Sequence, residues 1–270
     1  RKQIKFIHFF TSGFGETGNL QLEQEVIREA RRGHLRIVGP NCIGVQCFES
    51  KVSFRLTHLQ EKPGSIAFLG QSGGITSSFV AMATTRGIGL NKVVSYGNQI
   101  DLRLEDYLEY LADDDKIRLI ACYVEDIKDV NKFLKTLRRT TARKPVIILK
   151  GGKTELGSKA AASHTGAMAS NYTIWAAAVR QHGGLLVDDF EELMNLAMLG
   201  TAQRFPRGRR VGFMGAGGGI SVLFSDLAVT SGVLLPELSP GTQRMISEKI
   251  MGVNTSTTNP VDLGAFGFDF

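Results

Sequence analysis

Two stretches of this chain repeat each other. IAFLGQSGGITSSFVAMATTRGIGL, from Ile66, and VGFMGAGGGISVLFSDLAVTSGVLL, from Val211, share ten of 25 columns at an offset of 145 residues. The identities include Phe68 with Phe213, Gly70 with Gly215, Gly73 with Gly218, Gly74 with Gly219 and Gly87 with Gly232. Each stretch reads as an apolar strand, a glycine turn and an amphipathic helix. Glycine turns let backbone approach a ligand, and the first N–H groups of the new helix carry the positive end of its dipole, so such a turn suits phosphate. Two independent strand-turn-helix solutions are the alternative to a true repeat, since apolar periodicity with glycine punctuation recurs in unrelated α/β chains. Neither turn is a P-loop, because no Gly-Lys-Ser/Thr follows, and neither gives a dinucleotide fingerprint with its acidic partner.

Around the first copy, strands and helices alternate, which predicts a parallel sheet covered on both faces. Strands are expected at Ile66–Leu69, Lys92–Ser95, Leu119–Val124, Val146–Leu149 and Leu185–Val187. Helices are expected at Gly73–Thr85, Leu104–Leu111, Val130–Thr140, Asn171–Gln181 and Phe190–Ala202. This order resembles a flavodoxin-like doubly wound domain. Ahead of it, Ile4–Phe10 and Arg36–Val38 read as strands flanking a helix at Leu20–Arg32. Pro63-Gly64 and Phe205-Pro206-Arg207-Gly208-Arg209 mark breaks, dividing the chain into 1–62, 63–205 and 206–270. The last piece opens a second unit, with a strand at Val211–Met214 and a helix at Gly219–Thr230.

Composition narrows the function classes. With 43% hydrophobic and 21% charged residues, the chain has ordinary globular proportions. The formal charge of +6 suits a polyanionic partner, but no dense arginine tract or aromatic-interleaved basic run points to nucleic acid. Cys42, Cys47 and Cys122 have no metal-ligand spacing and read as reduced thiols. No apolar run reaches the ~18 residues that span a bilayer, and no signal-peptide pattern opens the chain, so a soluble, cytoplasmic protein is expected. The ends at Arg1 and Phe270, without an initiator methionine, read as cuts within a longer polypeptide.

Of the five histidines, His8, His34, His58 and His182 fit surface or core roles. His164 has a different setting: Lys159-Ala160-Ala161-Ala162-Ser163-His164-Thr165-Gly166-Ala167 is rich in small residues and follows the strand at Val146–Leu149 through a Lys150-Gly151-Gly152-Lys153 loop. A loop at the carboxyl edge of a parallel sheet is where such domains place ligands, and a neutral imidazole there can attack a phosphoryl group. Glu125 ends the strand Leu119–Val124 on the same rim. It can hydrogen-bond one ring nitrogen of His164 and set its tautomer, or stand as an exposed strand-end carboxylate.

Six segments together resemble the acyl-CoA synthetases of the nucleoside-diphosphate-forming type, the superfamily that includes ADP-forming acetyl-CoA synthetase and succinyl-CoA synthetase. They are ThrSerGlyPheGlyGluThrGly from Thr11, GlyProAsnCysIleGly from Gly39, GlyGlnSerGlyGly from Gly70, SerTyrGlyAsnGln from Ser95, AlaAlaAlaSerHisThrGlyAla from Ala160 and AsnProValAsp from Asn259. The resemblance implies that 1–62 is the carboxyl half of a Rossmann-type CoA-binding domain, with Thr11, Ser12 and Gly13 on a loop that contacts coenzyme A. It implies that 63–205 is a flavodoxin-like domain carrying a phosphorylated His164 oriented by Glu125, and that 206–270 begins a second such domain. Ser72, Gly73 and Gly74, with Gly217, Gly218 and Gly219, would open the two helices that hold phosphate, and Thr76 and Ser77 are candidates for the acyl pocket.

The family reaction converts acyl-CoA, ADP and phosphate into free acid, CoA and ATP through an acyl phosphate and a phosphohistidine. ATP, ADP and Mg²⁺ would bind an ATP-grasp domain or subunit that is not visible in this sequence, and an oligomeric assembly is implied. The competing assignment is a non-catalytic acyl-CoA-sensing region of a protein lysine acyltransferase. Such regions often lose the histidine, so the intact SerHisThrGlyAla favours the enzyme. A nicotinamide-dependent dehydrogenase lacks its fingerprint here.

Overall fold

The structure, a computed structural model, describes residues 4–54, 62–165, 171–202, 206–250 and 255–264, with 161–165 as backbone alone. It forms two compact units, 1–203 and 204–270.

The first unit begins with a parallel pair, β1 (Phe6–His8) and β2 (Arg36–Val38), joined by α1 (Leu20–Arg32). Asn19 caps α1 by accepting the Leu22 N–H at 3.4 Å, the usual work of a short polar side chain at a helix start. After them come β3 (Gly44–Cys47), β4 (Val52–Ser53), β5 (Ile66–Gly70), α2 (Gly73–Thr85), β6 (Leu90–Ser95), α3 (Leu104–Ala112), β7 (Leu119–Val124), α4 (Val130–Thr141), β8 (Val146–Lys150), α5 (Glu155–Thr165), α6 (Tyr172–Gln181), β9 (Leu185–Val187) and α7 (Phe190–Leu199). The main sheet runs β4-β3-β6-β5-β7-β8-β9. Its five strands from β5 onward are parallel. Taken from β5, they lie in the order 2-1-3-4-5, the flavodoxin-like doubly wound order.

Strand alternation divides the core between two faces. Ile66 and Phe68 of β5, Ala121 of β7 and Ile147 of β8 pack under α2 and α7, against Phe79, Val80, Leu193 and Met194. Their neighbours Ala67, Leu69, Ile120, Cys122 and Ile148 pack on the other face with Leu104, Leu108, Phe133, Leu137 and Val179 from α3, α4 and α6. These strands are apolar almost continuously because both faces are covered.

Periodicity does not reveal β3 and β4. They lie in the stretch expected to belong to the first domain, yet they extend the main sheet antiparallel to β6. Two alternating residues per face are too short a pattern to separate from a loop, and the edge pairing itself defines them. The segment around His164, expected to be a loop, is the helix α5. Ala160, Ala161 and Ala162 are the strongest helix formers, Lys159 pairs with Glu155 at 2.7 Å one turn away, and Thr154 accepts the Gly157 N–H at 3.1 Å.

The second unit contains β10 (Met214–Gly215), α8 (Gly218–Thr230), α9 (Pro240–Ser247) and β11 (Val261–Asp262), with β10 and β11 parallel. The repeat is structural as well as sequential. α2 and α8 start and end at residues 145 apart. Phe68 stacks on Phe79 at 3.9 Å between ring centroids, and Phe213 stacks on Phe224 at 4.0 Å. A phenylalanine two residues before the glycine that ends the strand, lying flat on the second turn of the following helix, is thus built twice by the same residues.

Candidate active site

The carboxyl ends of β1 and β2 turn toward the carboxyl edge of the main sheet, and a cleft of about 730 Å³ lies between them. From the first side come Phe10, Thr11, Ser12, Asn41, Cys42 and Ile43. From the main sheet come Gln71 to Gly74 and Ser77 after β5, Gly97 and Asn98 after β6, and Glu125 after β7. β5 and β7 flank the point where the strand order reverses, the position at which doubly wound sheets leave a crevice for ligand. Five separately expected groups, Thr11, Ser12, Ser72 to Gly74, Ser77 and Glu125, therefore line one cavity.

Each wall has a local cause. Ser72 is extended and its hydroxyl accepts the Ile75 N–H at 3.4 Å, capping α2. The first N–H groups of that helix, on Gly73 and Gly74, have no carbonyl one turn earlier to bond and open on the cleft. A methyl group on Gly74 would meet only the Ser72 hydroxyl, at 3.8 Å, so the glycine leaves room for a ligand there. Gly70 works inward instead: a Cβ there would strike the Thr76 hydroxyl and, at 2.8 Å, the Phe68 ring. Thr76, expected beside Ser77 in the acyl pocket, is fully buried and donates to the Ser72 carbonyl at 2.7 Å. It packs under the glycine turn, whereas Ser77, one residue on, reaches the cleft.

Gln71 ties two loops together. Its side-chain oxygen accepts the N–H groups of Glu125 and Asp126 at 2.8 and 2.9 Å, fixing the bend after β7 against the turn after β5. The Lys150 ammonium, at the end of β8, donates to the Glu125 carbonyl at 2.8 Å and to the Gly151 carbonyl, and lies 5.6 Å from the centre of the Trp175 ring. Burial pushes the lysine pKa down against the pull of the Asp126 and Glu125 carboxylates. The Tyr123 hydroxyl bonds the Glu125 side chain, and burial together with that carboxylate's charge pushes the phenol up. Gln71, Tyr123 and Lys150 did not emerge as site residues from the sequence, and only the GlyGlnSerGlyGly motif hinted at the first.

His164 sits in the last turn of α5, the helix that leaves β8 just beyond Lys150. Its side chain, and Gly166 and Ala167 of its motif, lie outside the described residues. Gly13 is left-handed at φ 108°, and its N–H is taken by the Glu16 carboxylate at 2.7 Å; Thr11 and Ser12 are the turn residues that line the cleft.

In the second unit, Gly217 precedes α8 at φ 97°, and its N–H is held by Asp262 at 2.9 Å. Asn259 donates to the carbonyls of Val211 and Pro236 and accepts the Phe213 N–H at 3.0 Å. The Asn259-Pro260-Val261-Asp262 motif therefore buttresses the turn that leads into Gly218 and Gly219.

Cys42 faces the cleft but is no nucleophile. Burial pushes its thiol up to about 12, only partly offset by a hydrogen bond from the Gly44 N–H, so it stays protonated near neutrality. Alkylation by iodoacetamide of the folded protein near neutral pH should modify half-exposed Cys47 well before Cys42. Mass spectrometry showing equal rates would overturn this. Among the described residues, no cluster of His, Cys, Asp or Glu could hold a metal ion. No helix among them is long and apolar enough to cross a membrane.

The family described as "succinyl-CoA ligase like flavodoxin domain" matches residues 63–199. The alpha subunit of acetate–CoA ligase [ADP-forming] II from Pyrococcus furiosus is 37% identical over 97% of this chain, which spans 57% of that protein. The 4-hydroxybutyrate–CoA ligase [ADP-forming] of Nitrosopumilus maritimus is 33% identical over 97% of the chain, which spans 38% of it. Among solved structures, a dinucleotide-forming acetyl-coenzyme A synthetase 1 of Ca. Korarchaeum cryptofilum, in complex with phosphate and ADP, superimposes with a TM-score of 0.87 at 30% identity, over 98% of this chain and 57% of that one.

Proposed function

The chain belongs to the succinyl-CoA ligase-like flavodoxin-domain family, and on that footing we propose that it is the CoA- and phosphate-handling part of an ADP-forming acyl-CoA ligase. The observation that carries this is the single cleft lined by Thr11 and Ser12 on one side and by Ser72, Gly73, Gly74, Ser77 and Glu125 on the other. A thioester held along the first wall presents its carbonyl to a phosphate held by the start of α2. The pieces proposed are 1–62 as part of a CoA-binding domain, 63–205 as the phosphoryl-transfer domain and 206–270 as the start of a second flavodoxin-like domain.

The chemistry divides into three displacements. A phosphate oxygen attacks the thioester carbonyl and CoA leaves as thiolate, giving an acyl phosphate. A nitrogen of His164 attacks phosphorus and the carboxylate leaves. A terminal oxygen of ADP then takes the phosphoryl group from the imidazole, giving ATP. The Gly73 and Gly74 N–H groups and the helix dipole stabilise charge on the transferring oxygens without having to move. Glu125, braced by Tyr123, Gln71 and the backbone contact to Lys150, would orient the His164 ring.

Mg²⁺ and the nucleotide are assigned to an ATP-grasp partner domain or subunit, in keeping with the similarity to an ADP-forming ligase alpha subunit and to a synthetase solved with ADP. Gly218 and Gly219 open a helix built like α2 and are assigned a second phosphate contact. The acid is assigned to the small carboxylic acids, the class for which the two ADP-forming relatives above are named, acetate and 4-hydroxybutyrate.

The test is stabilisation by ligand. CoA should stabilise the folded protein by about 2.7 kcal/mol at a hundredfold excess over Kd, read as a concentration-dependent rise in the thermal midpoint, while NAD should leave the midpoint unchanged. Stabilisation by NAD and not CoA would overturn the assignment.

A further inference from the structure

A closed ring of hydrogen bonds joins the two walls of the cleft. The Asn41 N–H donates to the Thr11 carbonyl at 2.9 Å. The Asn41 side-chain amide donates to the Asn98 side-chain oxygen at 3.4 Å. The Asn98 amide in turn donates to one oxygen of the Glu16 carboxylate. The other oxygen takes the N–H of Gly13 at 2.7 Å and of Phe14 at 3.4 Å, which returns to the turn where the ring began. Three of its members, Thr11, Asn41 and Asn98, line the cleft, and Glu16 closes the ring from behind.

Glu16 has no place in the chemistry proposed above, and its carboxylate does not line the cleft. We propose that Glu16 is a positioning residue that, through Asn98 and the Gly13 N–H, holds the Thr11-Ser12 turn in the conformation that receives the thiol end of CoA. This rests on the assignment of that turn to CoA. The physical case is that Gly13, at φ 108°, needs an outside partner to fix a backbone that glycine leaves free. The carboxylate supplies it, and Asn98 belongs to the loop after β6, so the turn is referenced to the main sheet and not only to α1. Burial would raise the Glu16 carboxyl, but the N–H groups of Gly13, Glu16 and Phe14 and the Asn98 amide outweigh it and hold it below the usual carboxylate range. The ring therefore carries a charged acceptor at neutral pH, and bonds to charged acceptors are the stronger kind.

Polarity exchange tests it. Glu16→Gln turns an amide N–H₂ toward the Asn98 N–H₂, Asn98→Asp sets two carboxylates against each other, and the double exchange restores donor to acceptor with the partners reversed. Calorimetric titration of the intact enzyme with CoA should show about tenfold weaker binding for Glu16→Gln, the equivalent of about 1.4 kcal/mol. Asn98→Asp should be at least as weak, and the double exchange should return to within about threefold of the parent. Ser12→Trp, which fills the cleft, should abolish binding. If Glu16→Gln binds CoA as the parent does, or the exchange is no better than the weaker single variant, the positioning role is overturned. If Ser12→Trp also binds as the parent does, the CoA assignment itself falls. Should either single variant fail to fold, the double exchange against the parent decides.

Discussion

His164→Ala should lose catalysis by at least about a thousandfold while the protein stays folded, because on the proposed mechanism it removes the covalent nucleophile and leaves binding in place. The position makes this an unusually clean experiment. His164 lies within α5, beside Ala160, Ala161 and Ala162, and alanine is the residue a helix tolerates best. The readout is direct: the intact enzyme incubated with labelled ATP and Mg²⁺ should carry an acid-labile, base-stable phosphate that the variant lacks. Label persisting in the variant would place the nucleophile elsewhere. A folded, CoA-binding parent with no label would replace the ligase assignment with that of an acyl-CoA sensor.

Gly97→Ala should destabilise the protein by about 3 kcal/mol or more, and Gly87→Ala by about 1 kcal/mol. Both glycines are left-handed, at φ 55° and 68°, so both substitutions carry the same conformational cost. They differ in surroundings. A Cβ on Gly97 would run into the Pro40 carbonyl oxygen and, at 2.6 Å, the Asn41 carbonyl oxygen, while one on Gly87 meets nothing within 4 Å. The Pro40 carbonyl cannot yield easily. Asn98 donates its N–H to Pro40 at 3.0 Å, and Ile100 donates to Gly39 at 3.3 Å, so the loop after β6 is laced to the loop after β2. Because Asn41, Gly97 and Asn98 line the cleft, the proposed affinity for CoA should fall with stability in Gly97→Ala and not in Gly87→Ala. Urea denaturation of the three proteins decides it, and equal losses for the two variants would show that the close approach carries no weight.

Local chemistry was enough to place most of the first unit's elements. Continuous apolar runs in β5, β7 and β8 announce strands buried on both faces, and the glycine turns at Gly73 and Gly218 announce helix starts, because each of these depends on neighbours a few residues away. The repeat of strand, turn and helix could be read the same way; the phenylalanine pair that stacks in both units appeared only in the structure. Glu125 and the helix start at Gly73 could be placed on the sheet rim in the same way, since loops that follow strands in a doubly wound sheet gather at one edge; Thr11, Ser12 and Ser72 were named only by the family resemblance.

Other features depend on long-range folding. The helix at 155–165 was hidden because its alanines also suit a loose loop, and its capping threonine lies outside the motif that draws attention. The pairing of β3 with β6 has no local signature at all. Thr76 and Ser77 are adjacent and chemically alike, yet one faces the core and the other the cleft, a division set by where α2 rests on Gly70. The ring that holds the Thr11 turn joins Asn41 to Asn98 across 57 residues and Asn98 to Glu16 across 82. A sequence pattern reports what a residue prefers beside its neighbours; which distant carboxylate meets which amide is settled when the sheet edge and the N-terminal turns close on each other.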